Sequence, residues 1–228
     1  MSHLSENTRE TGWSSARPRI KIAKEGYPLI VASAALAGGM FLAGWSGPAG
    51  LFALLALGFA GFFRDPDRSP PLQKGAILAP ADGKVVSIVP VTGDPFFKDA
   101  VVRLSIFLSP LDVHINRTPV EGRVEEVRYQ RGKFLAAYRD QASRENERNA
   151  LRIADRAGRR VGVVQVAGVL ARRIVCRVRA GDPLERGERF GLIMFGSRTD
   201  LYLPPGCEIA VAEGERVKGG ETIVARFI

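Results

Sequence analysis

The sequence predicts a mainly β protein (α+β overall): a compact β sandwich or barrel-like domain preceded by an N-terminal hydrophobic helical hairpin. Three observations carry this expectation. Residues 28 to 63 contain no charged side chain, a run longer than ordinary surface sequence tolerates. From residue 76 onward, short β-rich or period-two segments alternate with glycine and proline turns, which is the pattern of many short strands. Within that region a turn motif recurs: Gly181-Asp182-Pro183-Leu184-Glu185-Arg186-Gly187-Glu188 matches Gly214-Glu215-Arg216-Val217-Lys218-Gly219-Gly220-Glu221 at an offset of 33, each copy leading into a strand.

The order of elements follows. Residues 1–26 form a basic polar tail, with His3 near its start and Arg17, Arg19, Lys21 and Lys24 before the apolar run. The hairpin, 27–63, breaks only at Trp45-Ser46-Gly47-Pro48. Its arms, 28–45 and 49–63, measure roughly 27 and 22 Å at the helical rise, against about 30 Å of hydrocarbon. A signal peptide shares the basic start, but its apolar region is short and no second arm follows directly. A membrane hairpin is therefore expected, and with Arg64 and Arg68 on its far flank both ends, and the soluble part, face the cytoplasm. Residues 64–75, which open Arg64-Asp65-Pro66-Asp67-Arg68-Ser69-Pro70-Pro71, read as a linker, because proline and charge oppose helix and central strand. Residues 76–228 form the β domain. Its strands are expected at 84–89, 101–108, 123–129, 161–166, 173–179, 190–195, 208–212 and 222–227, with one helix near 134–143.

A hydrophobic content of 46% is compatible with a packed core. The net charge is +9, and residues 117–189 concentrate it, with 18 Arg or Lys against 10 Asp or Glu. Beside a membrane anchor, such a surface is drawn to anionic headgroups. Nucleic acid is the competing partner of a basic chain, but no recognition motif or aromatic-interleaved basic stretch supports it. Cys176 and Cys207 lack the clustered spacing of a zinc site, so no metal site is expected. Cys176 alternates with arginines on the opposite face, which assigns it to strand packing.

The chemistry centres on Gly196-Ser197, set in Phe195-Gly196-Ser197-Arg198-Thr199-Asp200 between two runs that read as strands. Glycine before a hydroxyl residue permits a strained backbone in which the serine oxygen can attack the glycine carbonyl. The acyl group moves from nitrogen to oxygen, β-elimination cuts the chain, and hydrolysis with loss of ammonia leaves a pyruvoyl group in place of Ser197. Gly-Ser alone is common turn chemistry; its surroundings are not. Phe62-Phe63-Arg64-Asp65-Pro66-Asp67-Arg68, Ala79-Pro80-Ala81-Asp82-Gly83-Lys84-Val85, Ser109-Pro110-Leu111-Asp112-Val113-His114-Ile115-Asn116-Arg117-Thr118-Pro119 and Glu145-Asn146-Glu147-Arg148-Asn149 precede it in order. Together these motifs resemble the phosphatidylserine decarboxylases, in particular the short, membrane-associated bacterial class. The resemblance implies a pyruvoyl-dependent lyase that makes phosphatidylethanolamine and carbon dioxide from phosphatidylserine through a Schiff base, at the cytoplasmic face of the bacterial inner membrane. It also implies self-cleavage into chains 1–196 and 197–228 that remain partners, and it leaves homo-oligomerisation open.

The same resemblance implies the site residues. Ser197 is both nucleophile and pyruvoyl precursor, His114 a proton donor or charge stabiliser in decarboxylation, and Asp82 a residue that orients the processing machinery. Asn146, Glu147 and Arg148 are expected beside the site. One departure stands out. Longer members carry Asp-x-His-x-x-His in this loop, and Arg117 occupies the second histidine position here. Arginine stays protonated and is no ordinary base. Either His114 serves both processing and decarboxylation, or strain at Gly196-Ser197 with electrostatic help from Arg117 drives the acyl shift and His114 acts afterward; the second is expected, because self-cleavage happens once and can be slow, whereas turnover needs repeated proton transfer. The glycine turns, which resemble those of lipoyl and biotinyl carriers, supply a rival function: a non-enzymatic, membrane-anchored carrier or adaptor. Against it, no clear attachment lysine stands at a hairpin tip.

Overall fold

The computed structural model describes residues 20–94, 96–135, 142–169, 173–194 and 197–228. The tail through residue 19, most of the helix expected near 134–143, and Phe195 and Gly196 of the processing segment therefore lie outside the described residues. Strand β1 (Ile20–Ile22) leads through a short 3-10 turn into helices α1 (Tyr27–Leu42) and α2 (Ser46–Phe62), and β2 (Arg64–Pro66) returns beside β1. There follow β3 (Ala76–Leu78), β4 (Gly83–Pro90), β5 (Val102–Leu108), β6 (Ile115–Arg117), β7 (Gly122–Gln130) and the short α3 (Ala142–Glu145). The chain continues with β8 (Arg148–Ala154), β9 (Arg160–Val166), β10 (Arg173–Cys176), β11 (Pro183–Leu184) and β12 (Arg189–Met194). It closes with β13 (Ser197–Leu203), β14 (Cys207–Ile209), β15 (Arg216–Val217) and β16 (Ile223–Phe227).

The hairpin forms where the sequence is apolar on every side. Pro28 sits in the first turn of α1, where its missing N–H costs nothing, and Gly44, at φ 81°, takes the left-handed turn between the arms. Val31, Leu36, Phe41, Leu51, Leu54 and Leu57 point outward and are exposed. The segment Lys24–Leu42 is long and apolar enough to cross a membrane. The base of the hairpin is packed: Ala23, Phe62 and Phe63 cluster with Val113, Ile115 and Leu192 of the β domain. The segment expected as a linker is part of this seat. β2 pairs antiparallel with β1, and Asp65, buried, accepts ion pairs from Arg117 at 3.3 Å and Arg189 at 2.7 Å. A buried carboxylate needs such partners, and only the segment directly after α2 can bring it there.

The β domain is built twice. Its curled eight-stranded sheet has the order β11-β7-β8-β9-β13-β5-β4-β15, and two three-stranded sheets, β10-β12-β6 and β14-β16-β3, cover it. Exchanging β7, β8, β9 and β11 with β4, β5, β13 and β15 reproduces the order from the other end. The bonds repeat as well. Val85 N–H donates to Glu215 O and Gly214 N–H to Val85 O, while Val124 N–H donates to Asp182 O and Gly181 N–H to Val124 O, all at 2.8–2.9 Å. The bulge between Val85 and Ser87 has its counterpart between Val124 and Glu126, and that between Arg189 and Gly191 between Ile223 and Ala225. The repeated turns of the sequence are thus one half of the duplication. Its other half is Pro80-Ala81-Asp82-Gly83-Lys84-Val85 against Pro119-Val120-Glu121-Gly122-Arg123-Val124. In each copy a Cβ on the glycine would lie 2.2 Å from a carbonyl oxygen of the neighbouring strand, so both positions require glycine.

Ile77, Leu104, Ile106, Leu151, Ile153 and Phe190 belong to the core that fills the space between the sheets. Cys176 packs against it and makes no disulfide. Most expected strands are present. Those expected at 173–179 and 208–212 are shorter, ending at Cys176 and Ile209. Among the described residues of the expected helix, Phe134 and Leu135 are non-helical and Ala142 begins a turn of helix that runs to Glu145; Arg148 already begins β8.

Candidate active site

Ser197 is the first residue of β13, a strand held on both sides by β5 and β9. β12 ends at Met194 in a covering sheet and β13 begins at Ser197 in the large one, so the two flank the processing segment from different sheets. Ser197 is fully buried, and its Oγ has no hydrogen-bond partner among the described residues. A buried hydroxyl left unpaired costs about 1–3 kcal/mol, so the fold holds the Ser197 hydroxyl poorly solvated at the junction.

The loop that carries His114 brackets this junction. Its first anchor is Leu108, directly opposite Ser197, and its last is the His114 carbonyl, which accepts from Ile193 N–H at 3.3 Å. The imidazole is buried, with Nδ1 2.9 Å from the Asp112 carbonyl oxygen. That carbonyl can only accept, so Nδ1 carries the proton and Nε2 is the basic nitrogen. The Phe62 ring of the hairpin lies 4.2 Å from the imidazole, tilted by 33°. Burial pushes the His114 pKa down to about 4, against the raising influence of Asp112. His114 is therefore neutral at pH 7. Asp112 is held in turn by Ser109 N–H at 2.8 Å and by Arg216.

Asp82 lies in its glycine turn, with Oδ1 accepting from Gly219 N–H at 2.8 Å and Oδ2 paired to Arg68 at 2.7 Å. Burial raises its pKa although the Arg68 charge opposes this. These contacts do not join Asp82 to His114. Arg117 is buried and donates to Gly187 O, Pro66 O and Asp65. Burial, and then the neighbouring Arg189 charge, lower its pKa to about 10, leaving it charged at pH 7. It stands opposite Arg189, at the far end of β12 from Met194, some five residues or about 17 Å along the strand. The structure thus anchors the ends of the His114 loop opposite Ser197 and at Ile193, and leads Arg117 away to the hairpin seat. Asn146 clamps the segment before β8, accepting from Leu135 N–H and donating to Leu135 O and Ala167 O at 2.8–2.9 Å. Glu147 bonds Tyr129, and Arg148 donates to Gln130.

A family model described as phosphatidylserine decarboxylase matches residues 55–225. The chain belongs to the phosphatidylserine decarboxylase family. Proteins named phosphatidylserine decarboxylase proenzyme from Burkholderia mallei (strain SAVP1) and Burkholderia ambifaria (strain MC40-6) are each 47% identical over 210 residues, covering 92% of this chain and 97% and 98% of theirs.

For a member of the phosphatidylserine decarboxylase family, the site holds more than the motifs indicated. Asn149, Gln165 and Thr199 lie side by side across β8, β9 and β13, and Asn116 reaches them from β6. Asn149 Nδ2 donates to Gln165 Oε1 at 3.1 Å, Gln165 Nε2 to Asn116 Oδ1 at 2.9 Å, and Asn116 Nδ2 to Thr199 Oγ1 at 3.0 Å. Thr199 shares the face of β13 with Ser197, and Asn116 is the middle residue of β6, the strand that directly follows His114. The chain of amides therefore ties the strand of Ser197 to the strand that follows His114. Gly191 makes room for it, since a Cβ there would lie 3.0 Å from Gln165 Nε2. The available sequence signal was Gln165, the lone polar residue in Val161-Gly162-Val163-Val164-Gln165-Val166.

Proposed function

We propose that this protein decarboxylates phosphatidylserine to phosphatidylethanolamine and carbon dioxide at the cytoplasmic face of a bacterial membrane, using a pyruvoyl group made from its own Ser197. The observation that carries the reading is the buried, unpartnered Ser197 hydroxyl bracketed by the His114 loop, in a family whose cited relatives are named proenzymes.

In processing, Ser197 Oγ attacks the Gly196 carbonyl carbon. Nε2 of His114 accepts the hydroxyl proton, because Nδ1–H is committed to the Asp112 carbonyl. The peptide nitrogen becomes the free amine of residue 197 and Gly196 is carried on an ester. Loss of the Cα proton expels the Gly196 carboxylate, and water then replaces the nitrogen as ammonia. The resulting pyruvoyl carbonyl supplies the electron sink that amino-acid decarboxylation requires. His114, neutral and walled by Phe62, then moves a proton at the reacting carbon while burial limits water. Because Arg117 is committed to Asp65, Pro66 and Gly187, we assign both proton-transfer roles to His114 rather than dividing them. The apolar hairpin, with positive charge at both ends, holds the site at the lipid surface.

Intact mass tests the reading. Wild-type protein is expected as two chains, 1–196 and 197–228, and Ser197→Ala as one inactive chain. Decarboxylase activity in demonstrably uncut wild-type protein would overturn it.

A further inference from the structure

Leu111 departs sharply from its surroundings. It is 83% exposed, while the residues that follow it, Asp112, Val113 and His114, are 7%, 5% and 2% exposed. A lone surface leucine says little, but this one is fixed in a particular place. The guanidinium of Arg64 donates at once to Gly61 O, in the last turn of α2, and to Leu111 O. One planar group spans both carbonyls, so the tip of the His114 loop is tied beside the end of the hairpin. Two cations flank it: Arg64 on its carbonyl, and Arg216, 67% exposed at its side chain, on the adjacent Asp112 carboxylate. Tyr27, half-exposed at the start of α1, stands at the same end of the hairpin. An exposed aliphatic residue flanked by basic groups, at the end of an apolar hairpin that also carries an exposed tyrosine, is the composition of a membrane interface.

We infer that the Ser109–Asp112 loop is a second membrane contact, in which Leu111 enters the headgroup and acyl boundary of the bilayer that takes the hairpin, with Arg64 and Arg216 against anionic headgroups. The inference rests on the membrane reading of the hairpin and gives it a function. A lipid headgroup is presented beside His114 without leaving the bilayer, because the loop that dips is the loop that carries the imidazole. The charge of the flanking groups and the continuity with the apolar helix surface favour lipid over a protein partner.

Two single-tryptophan proteins test it on vesicles of phosphatidylcholine and phosphatidylglycerol, with bromine carried either near the headgroups or near the chain ends. One is Trp13→Phe, which keeps Trp45 at the hairpin tip; the other is Trp13→Phe, Trp45→Phe, Leu111→Trp. The indole at position 111 is expected to be quenched by the shallow bromine more than by the deep one. Quenching of Trp45 without quenching at position 111 would overturn the loop contact and leave the hairpin reading standing. Absence of quenching in both proteins would overturn both. As a second measurement, Leu111→Asp in the full chain is expected to weaken vesicle binding about fivefold or more, from loss of one partly buried leucine. Unchanged binding counts against the contact.

Discussion

Gly75 and His114 occupy matching positions in the two halves of the β domain. Each precedes a three-residue strand, β3 or β6, and each offers its carbonyl to the partner strand, from Phe227 N–H in one half and Ile193 N–H in the other. Gly75 is only partly covered and sits in a turn with φ 71°, whereas His114 is buried against the hairpin. At the acidic turns the contrast runs the other way, because Glu121 belongs to the half that carries His114 and Asp82 to the half that carries Gly75. Glu121 pairs with Arg156 in the open, with side chains 44% and 88% exposed, whereas Asp82 is 15% exposed and gripped by Arg68. The two halves share a scaffold of glycine turns and bulges. What distinguishes them is what has been laid on each: one receives the hairpin seat and the His114 loop, and its last strand crosses directly to Ser197. On the proposed function, chemistry comes from breaking a symmetric fold, and the duplication supplies built-in controls for His114 and Asp82, at Gly75 and Glu121.

The largest expected effect tests that division. His114→Ala is expected to lose processing and, in any pre-cut protein, turnover by about 100-fold or more, the usual contribution of a positioned general base or acid. Arg117→Ala is expected to cut itself, though with lower stability, because it breaks a buried ion pair without touching Ser197. Gel mobility and intact mass separate the two. A folded Arg117→Ala chain that stays uncut would return the acyl shift to Arg117.

Next in size is the pH dependence of folding, best measured by denaturant unfolding of the uncut Ser197→Ala protein. The His114 pKa is about 4 in the folded chain, below its unfolded value of 6.5. The unfolded state therefore binds the proton first, so the stability is complete above about pH 6.5 and is lost as pH falls toward 4. The total loss is about 3 kcal/mol. Asp82, whose pKa moves up, works in the opposite direction. Adding His114→Gln should remove most of the slope in this window; an unaltered slope would show that other groups set it.

The acidic turns give a smaller, paired prediction. Asp82→Asn is expected to destabilise the protein by about 1–3 kcal/mol, because Arg68 loses a nearly buried partner. Glu121→Gln is expected to stay within about 0.5 kcal/mol, as exposed pairs do. Equal effects in thermal unfolding would mean that the halves are not differentiated at these turns.

Much of this was legible in the sequence, and the exceptions have physical reasons. The hairpin and most long strands were readable because a charge-free run and period-two alternation are local signals. β13 read as a strand but without bounds, because all seven residues, Ser197–Leu203, are buried, with covered surfaces on both faces, and the alternation disappears. β8 was hidden because its first residues, Arg148 and Asn149, are polar and follow closely on the segment expected to be helical, although Asn146 clamps the chain there and Arg148 begins a strand. Gly196-Ser197 and His114 were visible as motifs. Their setting was not, because Phe62, Asn116, Gln165 and Asp65 reach the site or its supports from distant parts of the chain. Asp65 shows the limit best. Its neighbours Pro66 and Asp67 suggest a linker, and only the arrival of Arg117 and Arg189 makes it the pin that seats the hairpin.

The smallest effect concerns that seat. Phe62 is the last residue of α2, and its ring lies 4.2 Å from the His114 imidazole. It removes water from one face of the ring, and desolvation is the main cause of the lowered pKa. Phe62→Leu keeps an apolar side chain but not the flat wall, so the imidazole regains some solvent. The expected result is a His114 pKa raised by less than about one unit, equivalent to roughly 1 kcal/mol, with self-cleavage intact and the acid limb of its pH profile moved upward. Gly75 has no such wall in the other half, so no distant compensation is expected. NMR titration of the imidazole in the uncut Ser197→Ala background reads the shift directly. A pKa unmoved by Phe62→Leu, in a chain still folded, would show that the hairpin covers the histidine without controlling its proton, and that burial from the β domain alone sets it.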